Sequence, residues 1–158
     1  MLNIKAFVKN TLDIKKIQNM ATLSRVRVLV GIPGGLTHTP KNQSSTSIET
    51  SELAKSLSFG ANGIPPRPFL QDGIRENRES IKKVITSEIK KYKSTGTCNF
   101  NIIGTYAAGK IKYFVMQDSF YQDHAPNSTS TIKAKGSTRP LIDTGEMVNS
   151  ITYQVVKK

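Results

Sequence analysis

The stretch SFGANGIPPRPFLQDGIRE, Ser58 to Glu76, decides how this chain is organised. Pro65, Pro66 and Pro68 fall within four residues, behind Gly60 and Gly63 and ahead of the apolar pair Phe69 and Leu70. Proline holds φ in one narrow range, removes a backbone donor and pushes the residue before it into extended geometry. No helix runs through Pro65 and Pro66, whereas Pro68 suits the start of one. The segment therefore reads as a stiff corner between two helices. It contains no reactive group. Because proline also restricts the unfolded chain, the corner orders at reduced entropic cost. Two roles fit a rigid segment that carries Phe69 and Leu70: a corner of the core, or a contact between subunits.

Outward from this corner the chain alternates helices, strands and polar connectors. SIETSELAKSLSFG reads as a short helix that Ser47 or Thr50 can cap and Gly60 can end. After the corner a long helix is predicted from about Pro68 to Tyr92, with Ile74, Ile81, Ile85, Glu88, Ile89 and Tyr92 as its stripe and lysines opposite. A second long helix is predicted over about Asn99 to Gln122, where Gly104 and Gly109 lower intrinsic propensity but permit close approach of another backbone.

At the N-terminal end, Ile4, Phe7, Val8, Leu12, Ile14, Ile17 and Met20 recur mostly every three to four residues, as on one face of a helix. RVRVLVGIP reads as a strand, with Val26, Val28 and Val30 alternating with Arg27 and Leu29 until Pro33. A closing strand is predicted from Ser150 to Val156, with Ile151, Tyr153 and Val155 on one side and Asp143 or Thr144 capping the turn before it. Residues 34–47 and 122–139 are rich in Ser, Thr, Asn, Gly and Pro and read as flexible loops that order on assembly.

The 158 residues suit one domain with a real core. The net charge of +12 is spread rather than concentrated: +6 over residues 1–46, +4 over 67–93, +3 over 126–158, and −1 in the remainder. Such a surface is either a solvated face or one that meets a polyanion. The basic residues of the long helix, Arg75, Arg78, Lys82, Lys83, Lys90 and Lys91, are the candidates to face DNA. A single cysteine, Cys98, excludes an internal disulfide and a thiolate zinc site. No signal peptide or membrane span is read, so synthesis in the cytosol and no membrane partner are expected.

Catalytic chemistry finds little support. His38 and His124 are far apart in sequence, and although Asp123 precedes His124 they read as separate surface residues. GIPGG, residues 31–35, lacks the spacing of a phosphate-binding loop, and Pro33 removes a donor. The acidic residues show no metal-ligand spacing. A non-enzymatic protein without cofactor or metal is expected.

Two blocks carry a resemblance. Phe59, Gly60, Ala61 and Ile64 to Leu70 form an F-G-A helix end followed by IPPRPFL. Roughly seventy residues on stand Lys135 to Ser137 and Pro140 to Tyr153, KGS followed by PLIDTGEMVNSITY. In this order they resemble the tail completion, or neck, proteins of tailed bacteriophages, over roughly residues 49–156. The lysine-rich helix after RPFL and the long 34–47 loop depart from the family pattern.

The resemblance implies an α+β subunit, a small twisted antiparallel or mixed sheet packed against two long helices. It implies a structural role in the virion: copies form a ring, six in that reading, that joins the tail tube or tail terminator to head-closure proteins around the DNA path. Its motif residues, Phe59, Gly60, Pro65, Pro66, Arg67, Pro68, Phe69, Leu70, Pro140, Leu141, Asp143, Thr144, Gly145, Ser150 and Tyr153, become interface candidates. A tail terminator that caps the tube, and a free non-specific DNA-binding protein, are the competing readings.

Overall fold

The structure, a computed structural model, describes residues 23–38, 48–61 and 63–157. The helix predicted over 4–20 and most of the 34–47 loop lie outside them. The fold is mixed α+β, as expected: a two-stranded antiparallel sheet packs against helices.

Strand β1, Val26–Gly31, pairs with β4, Thr152–Lys157, with Val28 opposite Val155 and Val30 opposite Tyr153. The alternation read from the sequence is the one observed: Val26, Val28 and Val30 are half-buried while Arg27 and Leu29 face solvent. A two-stranded ribbon is marginal by itself. Here helix α4, Phe100–Met116, covers its inner face. A second, minimal pair joins β2, Thr37–His38, to β3, Ile48–Glu49. Glu49 Oε1 accepts from Gly35 N at 2.9 Å and Ser51 Oγ at 2.7 Å, which ties the turn before β2 to the start of helix α1, Thr50–Phe59.

The long helix predicted from Pro68 to Tyr92 is two helices, α2, Phe69–Glu76, and α3, Arg78–Thr95. The break is at Asn77, whose side-chain Nδ2 donates to Gly73 O at 3.0 Å while its own backbone N–H also points there. Asn competes for backbone acceptors in this way and interrupts regular helix. The second predicted long helix also divides. Helix α4 stops at Met116, Gln117 is extended, and α5 runs Asp118–Asp123. The turn lets Phe120 swing back into the core, edge-on to Phe114 at 5.4 Å.

The 122–139 connector is not wholly loop. Thr129–Lys135 forms helix α6, with Ser128 accepting from Thr131 N at 3.2 Å and left-handed Gly136 closing it. Its Ser and Thr content hid the helix, yet a serine cap and a glycine stop were both in place. The last helix is α7, Glu146–Asn149. The core centres on Phe69, Ile111, Val115, Phe120, Val148 and Ile151.

Gly104 is where α4 meets the sheet. A Cβ there would collide with Cγ and Cδ2 of Tyr153 and lie 2.8 Å from Cε2. The close approach that the sequence suggested is therefore to an aromatic ring of β4, not to a backbone. Gly109 meets nothing within 4 Å. Gly104→Ala is expected to destabilise by about 1–3 kcal/mol through overpacking, although alanine favours helix. Gly109→Ala, on the same helix, is expected to be neutral or stabilising by roughly 0.5–1 kcal/mol. Urea unfolding of the two variants checks this contrast, and equal behaviour would show that the strand yields freely to the helix.

Candidate functional site

The corner IPPRPF turns Arg67 and Phe69 inward and leaves Ile64 and Pro66 exposed. Helix α1 ends at Gly60, whose φ is +78°, and a Cβ there would stand 2.9 Å from Ile64 O and 3.2 Å from Pro66 Cδ. Only glycine accepts both that conformation and that proximity. A tight turn closes from Ile64 N to Ala61 O at 2.9 Å, and Arg67 N then donates to Leu57 O at 2.8 Å, folding the proline segment back on α1. Pro65 and Pro68 are half-buried and Pro66 is exposed. Phe69 is fully buried at the core centre, and Leu70 packs against it. Of the two roles open to the corner, the structure adopts the core role for Phe69.

Arg67 is the residue whose place the sequence concealed. It is 3% exposed. Its Nε donates to Ala125 O at 2.9 Å and one terminal nitrogen donates to Pro126 O at 3.0 Å. The fork geometry of guanidinium satisfies two carbonyls of an irregular segment at once. Burial lowers its pKa from the ordinary arginine value, with no loss of charge at working pH. Arg67 thus pins the α5–α6 connector to the proline corner.

The C-terminal block closes against the same place. Pro140 and Leu141 are buried, and Leu141 has φ of +61°, an uncommon backbone for a branched side chain. Thr144 Oγ1 accepts from Glu146 N at 3.3 Å, and left-handed Gly145 starts α7. Of the two capping candidates Thr144 makes the bond. Asp143 Oδ1 is buried with no hydrogen-bond partner among the described residues. Ser150 Oγ donates to Met147 O at 2.7 Å. A cavity of about 210 Å³ lies between the blocks, lined by Leu57, Leu141, Met147, His38, Lys135 and Asp143, among others. Desolvation lowers the Lys135 pKa, Asp143 opposes that shift and Arg67 adds to it.

Neither histidine is the surface residue that the sequence suggested. His38 is buried, with Nδ1 2.8 Å from Glu146 Oε2. His124 stacks on Phe120 with ring centroids 4.1 Å apart. Its Nδ1 lies 2.7 Å from Phe120 O and its Nε2 3.0 Å from Asp72 Oδ2. The imidazole thus bridges Phe120 O of α5 and the Asp72 carboxylate of α2. Arg75 pairs with the other oxygen of Asp72, at 2.6 Å from Oδ1. His38 joins β2 to α7, and His124 joins α5 to α2. Among the described residues no group of three His, Cys, Asp or Glu side chains is placed to hold a metal ion.

The basic candidates divide. Arg75, Arg78, Lys82, Lys83, Lys90 and Lys91 are all exposed. Lys82, Lys83 and Lys90 line one shallow depression on α3 together with Glu79, Thr86 and Ser87. Arg75 is engaged by Asp72, and Lys91, next along the helix from Lys90, is turned by a further 100° or so. Phe59 projects from the end of α1 at 68% exposure, and Tyr113 and Met116 of α4 are further exposed apolar side chains. Tyr153 is half-buried against Gly104. No described helix is long and apolar enough to cross a membrane.

Compared with protein-family models, with curated proteins and with solved structures, the chain matches none at a significant level.

Proposed function

We propose that this protein is a structural subunit of a tailed-phage virion, a neck or tail completion protein that assembles as a ring joining tail to head around the DNA path. One observation carries the reading. The two sequence blocks that resemble this family lie far apart along the chain but form one spatial unit. Phe69 of the first block shares a core with Leu141, Met147 and Ile151 of the second, and Leu57, just ahead of the first block, shares a cavity with the second block's Leu141 and Gly145. A chance likeness of two segments gives no reason for them to interlock. Exposed Phe59, on a helix end fixed by Gly60, suits a subunit contact.

The lysine face of α3 fits a DNA path that needs phosphate contacts without sequence readout. Its partners in this reading are further copies of the chain, the tail tube or tail terminator, and the head-closure proteins. No catalysis and no cofactor belong to it.

Locating the chain in a reconstruction of the particle tests the proposal, with a density ring at the head–tail junction as the expected result. The rival, a free DNA-binding protein, shifts DNA on a gel and ignores tails. Reversing Lys82, Lys83 and Lys90 to Glu is expected to leave folding and ring size unchanged. It should flatten the salt dependence of any DNA association, by about 0.9 in log–log slope for each phosphate that is no longer neutralised. A wild-type protein that binds DNA but stays monomeric beside tails and heads would overturn the neck reading.

A further inference from the structure

Helix α4 is apolar on its outer flank as well as its inner one. The inner flank buries Ile103, Ala107, Ala108, Ile111 and Val115. Along the outer flank Ile102, Tyr106, Gly109, Tyr113 and Met116 follow at steps of four, three, four and three. At about 100° per residue these steps nearly cancel, and the five positions fall within an arc of about 80°. Ile102, Tyr113 and Met116 are 44%, 61% and 49% exposed, and a Cβ on Gly109 would meet nothing within 4 Å. The helix carries no acidic residue, and its charged residues are Lys110 and Lys112. A helix that is apolar all round belongs in an interior, and a contiguous apolar face left open marks a docking site.

The order of residues along this face selects the occupant. Counted outward from Gly109, a tyrosine stands three residues before and four after, and a large aliphatic side chain seven before and seven after. The face therefore reads nearly the same in both directions. Set against an identical helix running antiparallel, with the two Gly109 residues at the crossing, Ile102 meets Met116 of the second copy and Tyr106 meets its Tyr113. Glycine at the crossing admits the second backbone without a Cβ between them. Antiparallel packing also places each positive helix end beside a negative one. On one rim Lys110 comes near its own counterpart. Its Nζ lies 5.6 Å from the centroid of the Tyr106 ring, and Lys112 is turned to Asn149 O at 2.8 Å.

We propose that the outer face of α4 is a two-fold contact between copies of this chain, an antiparallel helix pair that crosses at Gly109. An isologous contact closes at two copies and does not continue into a ring. It is therefore distinct from the contact that a ring needs, and it does not rest on the virion reading.

Cysteine cross-linking of the full chain, in a Cys98→Ser background that removes the single native thiol, reads this geometry directly. Gly109→Cys is expected to oxidise to a covalent dimer, because the crossing brings like Cα atoms within the roughly 4.4–6.8 Å that a disulfide spans. Ile102→Cys by itself should stay uncrosslinked, since antiparallel packing sets its two copies about 20 Å apart. Mixed with Met116→Cys it should cross-link. Sedimentation equilibrium gives the second readout. Gly109→Gln favours helix in the monomer yet overpacks the crossing, and it should weaken association by about tenfold or more. Lys110→Gln removes the like-charge contact and should tighten the dimer, as should raised salt for the wild type. A wild-type protein that sediments as a monomer at every concentration would overturn the proposal, whether the face is then bare or covered by another part of the chain. So would Ile102→Cys that cross-links to itself, or association that Gly109→Gln leaves unchanged, which would put the contact elsewhere.

Discussion

Ile151→Asp is expected to leave this protein unfolded. Ile151 is 1% exposed and stands at the entry to β4, packed in the core with Phe69, Ile111 and Val148. Its backbone N–H donates to Val148 O at 3.3 Å, so the residue joins α7 to the strand and has little freedom to swing outward. A carboxylate there loses its water and gains no partner, which costs several kcal/mol. The apolar burial of isoleucine, about 1.5–3 kcal/mol, is lost as well. Against a total stability of roughly 5–15 kcal/mol for a domain, the sum removes most or all of it. The sequence left two readings of this strand face, core or interface, and they separate cleanly here. A core residue gives an unfolded or aggregated subunit by circular dichroism and sedimentation. An interface residue gives a folded monomer that fails to join heads to tails, and that result would refute the placement of Ile151. Ile151→Val keeps the shape class and should cost only about 0.5–1.5 kcal/mol.

Phe69→Ala should lower stability by about 3–5 kcal/mol. For a chain of this size that is a fall in Tm of roughly 10 °C. Phe69 is fully buried at the first residue of α2, and Asp72 N donates to Pro68 O one turn on, at 2.9 Å. The ring is held from both sides: the proline corner fixes where it enters, and α2 packs against α4 so closely that a Cβ on Gly73 would lie 3.1 Å from Ile111 Cγ2. A corner this rigid cannot collapse to fill the space, so the cavity persists and the cost falls at the high end of the range. Phe69→Leu, which refills much of the volume, should recover at least half of the loss. Thermal unfolding of the two variants measures both. A Phe69→Ala subunit with unchanged Tm and impaired assembly would return the residue to the interface role.

Much of the local structure was legible from residue type and spacing. The proline corner, the alternation of β1, the stop at Gly60 and the two helical regions follow from backbone sterics and periodicity, which act over a few residues. Where the reading ran long, as at Asn77 and Gln117, apolar periodicity continued across a break made by one side chain's hydrogen bonds or by Phe120 turning inward. Helix α6 went unread because composition was weighed above the serine cap and glycine stop that flank it.

By itself, then, the sequence determined the punctuation: where the chain must turn and where it must be extended. Only the tertiary structure decided which way the corner faces. Arg67 reads as an interface candidate between prolines until the carbonyls of Ala125 and Pro126, nearly sixty residues on, are brought to its guanidinium. His124 reads as exposed until Asp72 meets it across 52 positions. Gly104 reads as a place where another backbone can approach until the Tyr153 ring is found to fill it. In each case the partner is distant in sequence, and the free energy that selects the arrangement comes from desolvation and close packing. Those terms exist only once the elements have come together.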